Sequence, residues 1–109
     1  MIEISSQKVV HVIFLAREGH LAMAELEAFI EGMNVDEKVH LVALAWVGRG
    51  AFDAEDFAEA VATARAEATT PTQTYLSGMP HLAENLEAGL EAMGLDVSDE
   101  EEDFLNGDH

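Results

Sequence analysis

The residues whose spacing comes closest to a known chemical motif follow a glycine-rich turn in the middle of the chain. Gly50, Phe52 and Asp56 match positions 6, 8 and 12 of a calcium-binding helix–loop–helix. The ligand positions 1, 3 and 5 of that motif would carry no side-chain oxygen, since they are Ala45, Val47 and Arg49. The sequence therefore favours an ordinary turn between two helices over a calcium site.

Histidine spacing gives no metal motif. No pair forms the HExxH pattern that places two imidazoles on one helical face beside a glutamate base. Two of the five histidines lie in apolar segments, where a core imidazole with a hydrogen-bond partner is the commoner outcome. The five are His11, His20, His40, His81 and His109. We therefore predict no metal and no cofactor.

Other catalytic patterns are also incomplete. Ser77 lacks the Gly-x-Ser-x-Gly spacing of a nucleophile elbow, and Gly48-Arg49-Gly50 lacks the length and the Lys-Ser/Thr ending of a phosphate loop. Carboxylates are abundant, but they fall mostly on polar helix faces, whereas general acid–base catalysis needs a carboxylate whose pKa is displaced, usually by burial in an apolar pocket. The sequence supports no enzyme class and no catalytic residue.

Basic residues are scarce, and two of them lie close in sequence to the middle of the chain. Arg49 follows Trp46, and Arg65 lies in the next helix. The simpler interpretation is that each arginine pairs with a nearby carboxylate. The alternative is a small groove that binds an anionic ligand or an acidic group of a partner, built from Trp46, Arg49, Arg65 and Tyr75.

Composition describes a folded chain with an extreme charge. The 109 residues are 49% hydrophobic and 25% charged, as in soluble globular domains, with 22 acids against 5 Lys and Arg. The net charge of −17 argues against nucleic acid and anionic membrane surfaces as partners. There is no cysteine, and the apolar run at Val9–Ala16 is too short to span a bilayer. We expect a cytoplasmic protein.

Apolar periodicity predicts an all-α fold of about five helices. The first would cover Ser6–Glu18; its β-branched residues also permit a strand over residues 8–16, but its length and Gly19 favour a helix. The second would cover His20–Met33.

The third predicted helix is apolar on every side, which indicates that it is buried by the others. It would cover residues 37–48, with Asp36 as its N-cap and with Gly48 and Gly50 at its end.

The fourth helix would start at an Asp53 cap and end near Glu67. A loop over Thr69–Thr74 and a short turn at Tyr75 and Leu76 would follow. The fifth would have Pro80 in its first turn and would end at Gly94.

The end of the chain is predicted to be separate from this bundle. Residues 96–109 contain 7 acids and no Lys or Arg, a composition typical of a disordered, solvated segment. We therefore divide the chain into a helical domain, residues 1–95, and an acidic disordered tail, residues 96–109. The helical domain retains 15 acids against 5 Lys and Arg, a net charge of −10.

Several short segments together resemble an uncharacterised bacterial family of small acidic all-helical proteins, a domain of unknown function. The resemblance covers about residues 5–94 and implies an all-helical single domain without known catalytic residues. The segments that carry it are Ala16-Arg17-Glu18, Leu44-x-Trp46-x-Gly48-Arg49-Gly50, Phe52-Asp53, Ala64-Arg65, Tyr75-Leu76, Pro80-x-Leu82, Leu86 and Gly89-Leu90.

The leading hypothesis is a non-enzymatic interaction protein whose acidic surface engages a basic partner. The alternative is a sensor of a small anionic ligand, or a minor enzyme, that uses the corner around Trp46, Arg49 and Tyr75. Apolar faces on the first two helices also leave a homodimer open.

Overall fold

A computed structural model describes residues 2–95, and within this range the protein is all-α without a strand. The region around residues 8–16 is helical. Two short 3₁₀ turns, Gly19–Ala22 and Ala54–Asp56, precede the second and fourth helices. The α-helices are α1 (Ser6–Arg17), α2 (Met23–Glu31), α3 (Val35–Arg49), α4 (Phe57–Ala66), α5 (Thr72–Ser77) and α6 (Leu82–Ala92).

The predicted central helix is confirmed as α3. Leu41, Ala43 and Leu44 point in different directions around this helix and are all fully buried. The helix packs against α6, α4 and α5, while α1 covers α6 and α2 from the other side. One hydrophobic core therefore joins all six helices.

The contact between α3 and α6 depends on two glycines. A methyl group at Gly48 would overlap the carbonyl oxygen of Asn85 and come within 2.8 Å of the Gly89 amide nitrogen. A methyl group at Gly89 would overlap the carbonyl oxygen of Leu44. The backbones of α3 and α6 therefore lie so close together that Gly48 and Gly89 leave no room for a side chain.

The start of α3 differs from the expectation. The N-cap is Asn34 instead of Asp36, and its Oδ1 accepts a hydrogen bond of 2.8 Å from the Glu37 backbone N–H. Glu37 Oε1 accepts from the Asn34 N–H in return, at 3.0 Å, which completes a capping box. Lys8 of α1 also donates to Glu37. Asp36 lies within the first turn of α3, and its carboxylate accepts a hydrogen bond from Arg65 of α4. Of the two glycines predicted at its end, Gly50 is confirmed as the C-cap, in the left-handed conformation with φ 91°, whereas Gly48 lies inside the helix.

The segment after α4 is more ordered than predicted. The expected loop and turn contain the six-residue helix α5, which begins at Thr72 and includes both Tyr75 and Leu76. Threonine has a modest helix propensity, but Leu76 is fully buried in the core, and tertiary packing overrides that propensity.

Other helix starts move by a few residues. Residues 19–22 form a 3₁₀ turn, so the second helix begins at Met23 instead of His20. Asp53 stands at the N-cap of the 3₁₀ turn Ala54–Asp56, but its side chain makes no capping hydrogen bond. Pro80 precedes α6, which begins at Leu82 after His81 in a left-handed conformation. The predicted tail, residues 96–109, lies outside the described residues.

None of the helices in residues 2–95 is both long and apolar enough to cross a bilayer.

Replacing Gly48 by Ala tests the close helix contact. We expect Gly48→Ala to lower the free energy of unfolding by about 3 kcal/mol, because the added methyl group forces α3 and α6 apart. Chemical denaturation followed by circular dichroism measures this loss. Gly32→Ala is the matched control, since its methyl group would lie 3.6 Å from its nearest neighbours, an ordinary contact. Equal stability of the two variants would contradict the proposed role of the contact.

Candidate functional site

A pocket of about 210 Å³ lies between α3, the end of α4 and α5. We call it the Trp46–Tyr75 pocket. Its walls are formed by aliphatic, aromatic and threonine side chains, with one charged residue among those described. The lining residues are Val39, Val42, Trp46, Ala64, Glu67, Ala68, Thr69, Thr70, Thr72 and Tyr75.

Helix α3 presents three of these side chains from one face. Val39, Val42 and Trp46 follow at intervals of three and four residues, which is the spacing of one helical stripe. The Trp46 indole lies nearly parallel to the Phe52 ring, with centroids 5.8 Å apart and planes 20° apart. Phe52, in the turn after α3, therefore supports the indole from outside the pocket.

A hydrogen bond joins the two aromatic residues of the pocket. The Trp46 Nε1–H donates to the Tyr75 hydroxyl oxygen over 2.9 Å. Tyr75 lies on α5, and this helix is held in place because the next residue, Leu76, is fully buried in the core. Tyr75 is 36% exposed, so its ring contacts both the pocket and solvent.

The structure brings together two of the four predicted site residues. Trp46 and Tyr75 line the pocket, whereas Arg49 and Arg65 do not. Arg65 donates to Asp36 over 3.1 Å, with both side chains about half exposed. Arg49 is exposed at the end of α3 and makes no ion pair within residues 2–95. Within residues 2–95, the interpretation that each arginine pairs with a nearby carboxylate therefore fits Arg65 but not Arg49.

Sequence reasoning missed the rim of the pocket. Glu67 and the threonines that follow it were treated only as the end of a helix and a loop. The sequence did contain an indication of this rim. Several threonines lie between the end of α4 and Tyr75, which was itself a predicted site residue. The missed polar lining residues are Glu67, Thr69, Thr70 and Thr72.

A second pocket, of about 330 Å³, lies where the end of α1 meets the start of α6. Two of its polar side chains have partners within the protein. Arg17 pairs with Glu87, and the Ser77 hydroxyl donates to Glu27 over 2.7 Å. These contacts link α1 to α6 and α5 to α2, which indicates a structural role.

His40 is a core histidine, as its apolar surroundings predict. It is 5% exposed, and its Nδ1 accepts a hydrogen bond of 3.0 Å from the Glu3 backbone N–H. The Phe57 ring packs edge-on against it, with centroids 5.5 Å apart. Burial lowers the pKa of His40, so the neutral imidazole is the form that the fold accommodates.

Metal-binding side chains do not converge in the part of the chain that the structure describes. No group of three or more His, Asp or Glu residues there is arranged to hold a metal ion.

Residues 2–95 thus form an all-α fold around a hydrophobic core, with the Trp46–Tyr75 pocket beside its central helix. A family model described as "Protein of unknown function (DUF3775)" matches residues 23–95. This is more than half of the chain, and the protein therefore belongs to that family. No curated protein and no solved structure matches the chain.

The family match covers most of the fold but not its first helix. It includes α2 to α6 and the whole Trp46–Tyr75 pocket, but not α1 or the Ala16-Arg17-Glu18 segment. Val9, Val12 and Ile13 of α1 are nevertheless fully buried in the common core. The helix outside the match is thus part of the same folded unit.

The lowered pKa of His40 sets a pH dependence of stability. Because the unfolded chain takes up a proton more readily than the folded one, this contribution to stability is present above the unfolded pKa and is lost as pH falls below it. We expect the free energy of unfolding to decrease between about pH 7.5 and about pH 5.5. His40→Asn should reduce this slope, and His20→Asn, at an exposed position, is the control. Denaturation at several pH values is the measurement. An unchanged slope in His40→Asn would contradict the assignment.

Removing the Tyr75 hydroxyl tests the bond between the aromatic residues. Tyr75→Phe should lower the free energy of unfolding by about 1 kcal/mol and change the emission of Trp46, since water then replaces the lost acceptor. Thr74→Ser, an exposed change on the same helix, serves as the control. Denaturation followed by tryptophan fluorescence reports both effects, because Trp46 is the single tryptophan. Identical emission in both variants would show that the bond is absent in solution.

Proposed function

We propose that this protein is a non-enzymatic interaction module that binds a basic protein partner. The observation that carries the proposal is the excess of carboxylates on the folded part of the chain. Residues 1–95 contain 15 acids against 5 Lys and Arg, and 12 of those acids are exposed. Acids thus cover several helix surfaces.

The few cations do little to offset this charge. Lys8, Arg17 and Arg65 each lie in an ion pair with a carboxylate. A positively charged partner would therefore meet a field of one sign over much of the surface. Such a field accelerates encounter and discriminates against acidic partners.

The displaced pKa values of Glu37 and His40 belong to groups with a structural role. Both pKa values are lowered. The Lys8 ammonium and the Asn34 N–H stabilise the ionised form of Glu37, and burial lowers the pKa of His40. Both residues hold helices together, and neither lines a described pocket.

The alternative, a sensor or minor enzyme for a small anionic ligand, has less support from the geometry. Trp46 and Tyr75 do form a pocket, but its single charged lining residue among those described is Glu67. An anion in this pocket would face a carboxylate, whereas Arg49 lies outside the lining. A cationic occupant fits the same walls better.

A cytoplasmic location is part of the proposal. A cysteine-free composition is compatible with a reducing compartment, where disulfides are rare.

Salt dependence of partner capture tests the proposed function. The full chain, immobilised, is expected to retain a basic protein from host lysate at about 0.1 M salt and to release most of it at about 1 M, where charges are screened within about 3 Å. Quantitative mass spectrometry identifies the retained protein and its charge. The control bait is a full-length variant in which Glu25, Glu31, Glu55 and Glu59 are replaced by Gln, and it should retain several-fold less.

Retention that is equal at both salt concentrations, or a retained partner that is not basic, would reject the electrostatic mechanism. A second full-length variant, with amides in place of the 7 acids of residues 96–109, shows how much of the capture depends on that segment.

A further inference from the structure

We propose that the Trp46–Tyr75 pocket binds a lysine side chain of the basic partner. The inference rests on the proposed function and assigns one specific contact within it. It converts a general attraction between charges into recognition at a defined site on α3, α4 and α5.

The size and the walls of the pocket suit the lysine stem. Its volume of about 210 Å³ leaves room for a four-carbon chain that ends in an ammonium group. Val39, Val42 and Ala64 offer aliphatic surface, and the methylene groups of lysine readily pack on such surface while the charge stays near water.

The polar and aromatic groups of the pocket suit the ammonium end. Trp46 and Tyr75 supply electron-rich rings that attract cations. Glu67 supplies a negative charge, and three of the lining threonines carry hydroxyls that can accept hydrogen bonds. An ammonium has three N–H donors to distribute over such separate acceptors. The hydroxyls belong to Thr69, Thr70 and Thr72.

The position of Glu67 is an independent observation in favour of a cationic occupant. Glu67 is the C-cap of α4, where the helix exposes carbonyl groups and a carboxylate is electrostatically unfavourable. It forms no ion pair within residues 2–95, although Arg65 lies two residues away and pairs with Asp36 instead. A bound ammonium would neutralise this unfavourable charge.

Arginine is the competing basic side chain. Its guanidinium holds five N–H donors in one rigid plane, so the acceptors around it must lie close to that plane. The compact ammonium can turn its three donors toward the Glu67 carboxylate and toward hydroxyls on separate residues, which favours lysine.

Fluorescence titration of the full chain tests this inference. The probe is Nα-acetyl-lysinamide, and the reporter is Trp46, the single tryptophan. We expect saturable changes in Trp46 emission with the lysine probe. Nα-acetyl-norleucinamide, which has the same stem without the ammonium, and Nα-acetyl-argininamide should bind at least severalfold more weakly.

Two variants separate the site from the general charge. Glu67→Gln should weaken binding of the lysine probe about fivefold, which is the size of effect expected from one solvent-exposed ion pair. Glu91→Gln removes the same charge from an exposed position on α6 outside the pocket, and should change the affinity by less than about twofold. Glu67→Gln should also melt at the same or a slightly higher temperature, since it removes an unfavourable carboxylate from the helix end.

The outcomes distinguish this inference from the proposed function. Equal binding of the norleucine or arginine probe, or an equal effect of the two variants, would overturn the lysine site. A peptide of alternating Lys and Ala, titrated at low and high salt, supplies the second comparison. If it binds wild type and Glu67→Gln equally and is released by salt, the lysine site is wrong and the interaction module stands. If it does not bind at low salt, both are rejected.

Discussion

The close approach of α3 and α6 is the constraint on which the rest of the structure depends. Gly48 and Gly89 allow the two backbones to meet where a single methyl group would overlap a carbonyl oxygen. This contact fixes α6 against one side of α3, and α1 is then packed on α6. The remaining sides of α3 are left for α4 and α5, and the gap between those two helices is the Trp46–Tyr75 pocket.

The pocket therefore arises from the same helix that forms the centre of the core. Leu44 and Ala45 are fully buried, while Trp46, the next residue, is only partly buried and reaches the pocket. Since α3 is enclosed by its neighbours, its position is well determined, and Trp46 is presented from a rigid support. Most of the polar groups of the site come from the threonine-containing segment that connects α4 to α5.

The sequence predicted those features that depend on local pattern. The continuous apolar run of α3 predicted its central position, and Gly50 predicted its left-handed end. Helix starts were less accurate, because Asn34 and Asp36 both have suitable side chains and only the folded geometry selects Asn34. Helix α5 was missed because burial of Leu76, a tertiary effect, stabilises a segment with weak helix propensity. For the pocket, the types of Trp46 and Tyr75 were informative, but the distance of Arg49 and Arg65 from it depends on how α3 and α4 cross.

The hydrogen bonds that Glu37 accepts affect how the protein responds to acid. One carboxylate accepts from the Asn34 N–H at the start of α3 and from Lys8 of α1, so a single side chain ties a helix cap to a neighbouring helix. These bonds lower the pKa of Glu37, which keeps the carboxylate ionised as pH falls into the range where ordinary glutamates take up protons. Its contribution to stability is present above the ordinary pKa and is lost as pH falls through the lowered one. One proton then weakens the cap and the bridge together, so the junction of α1 and α3 loosens as a unit.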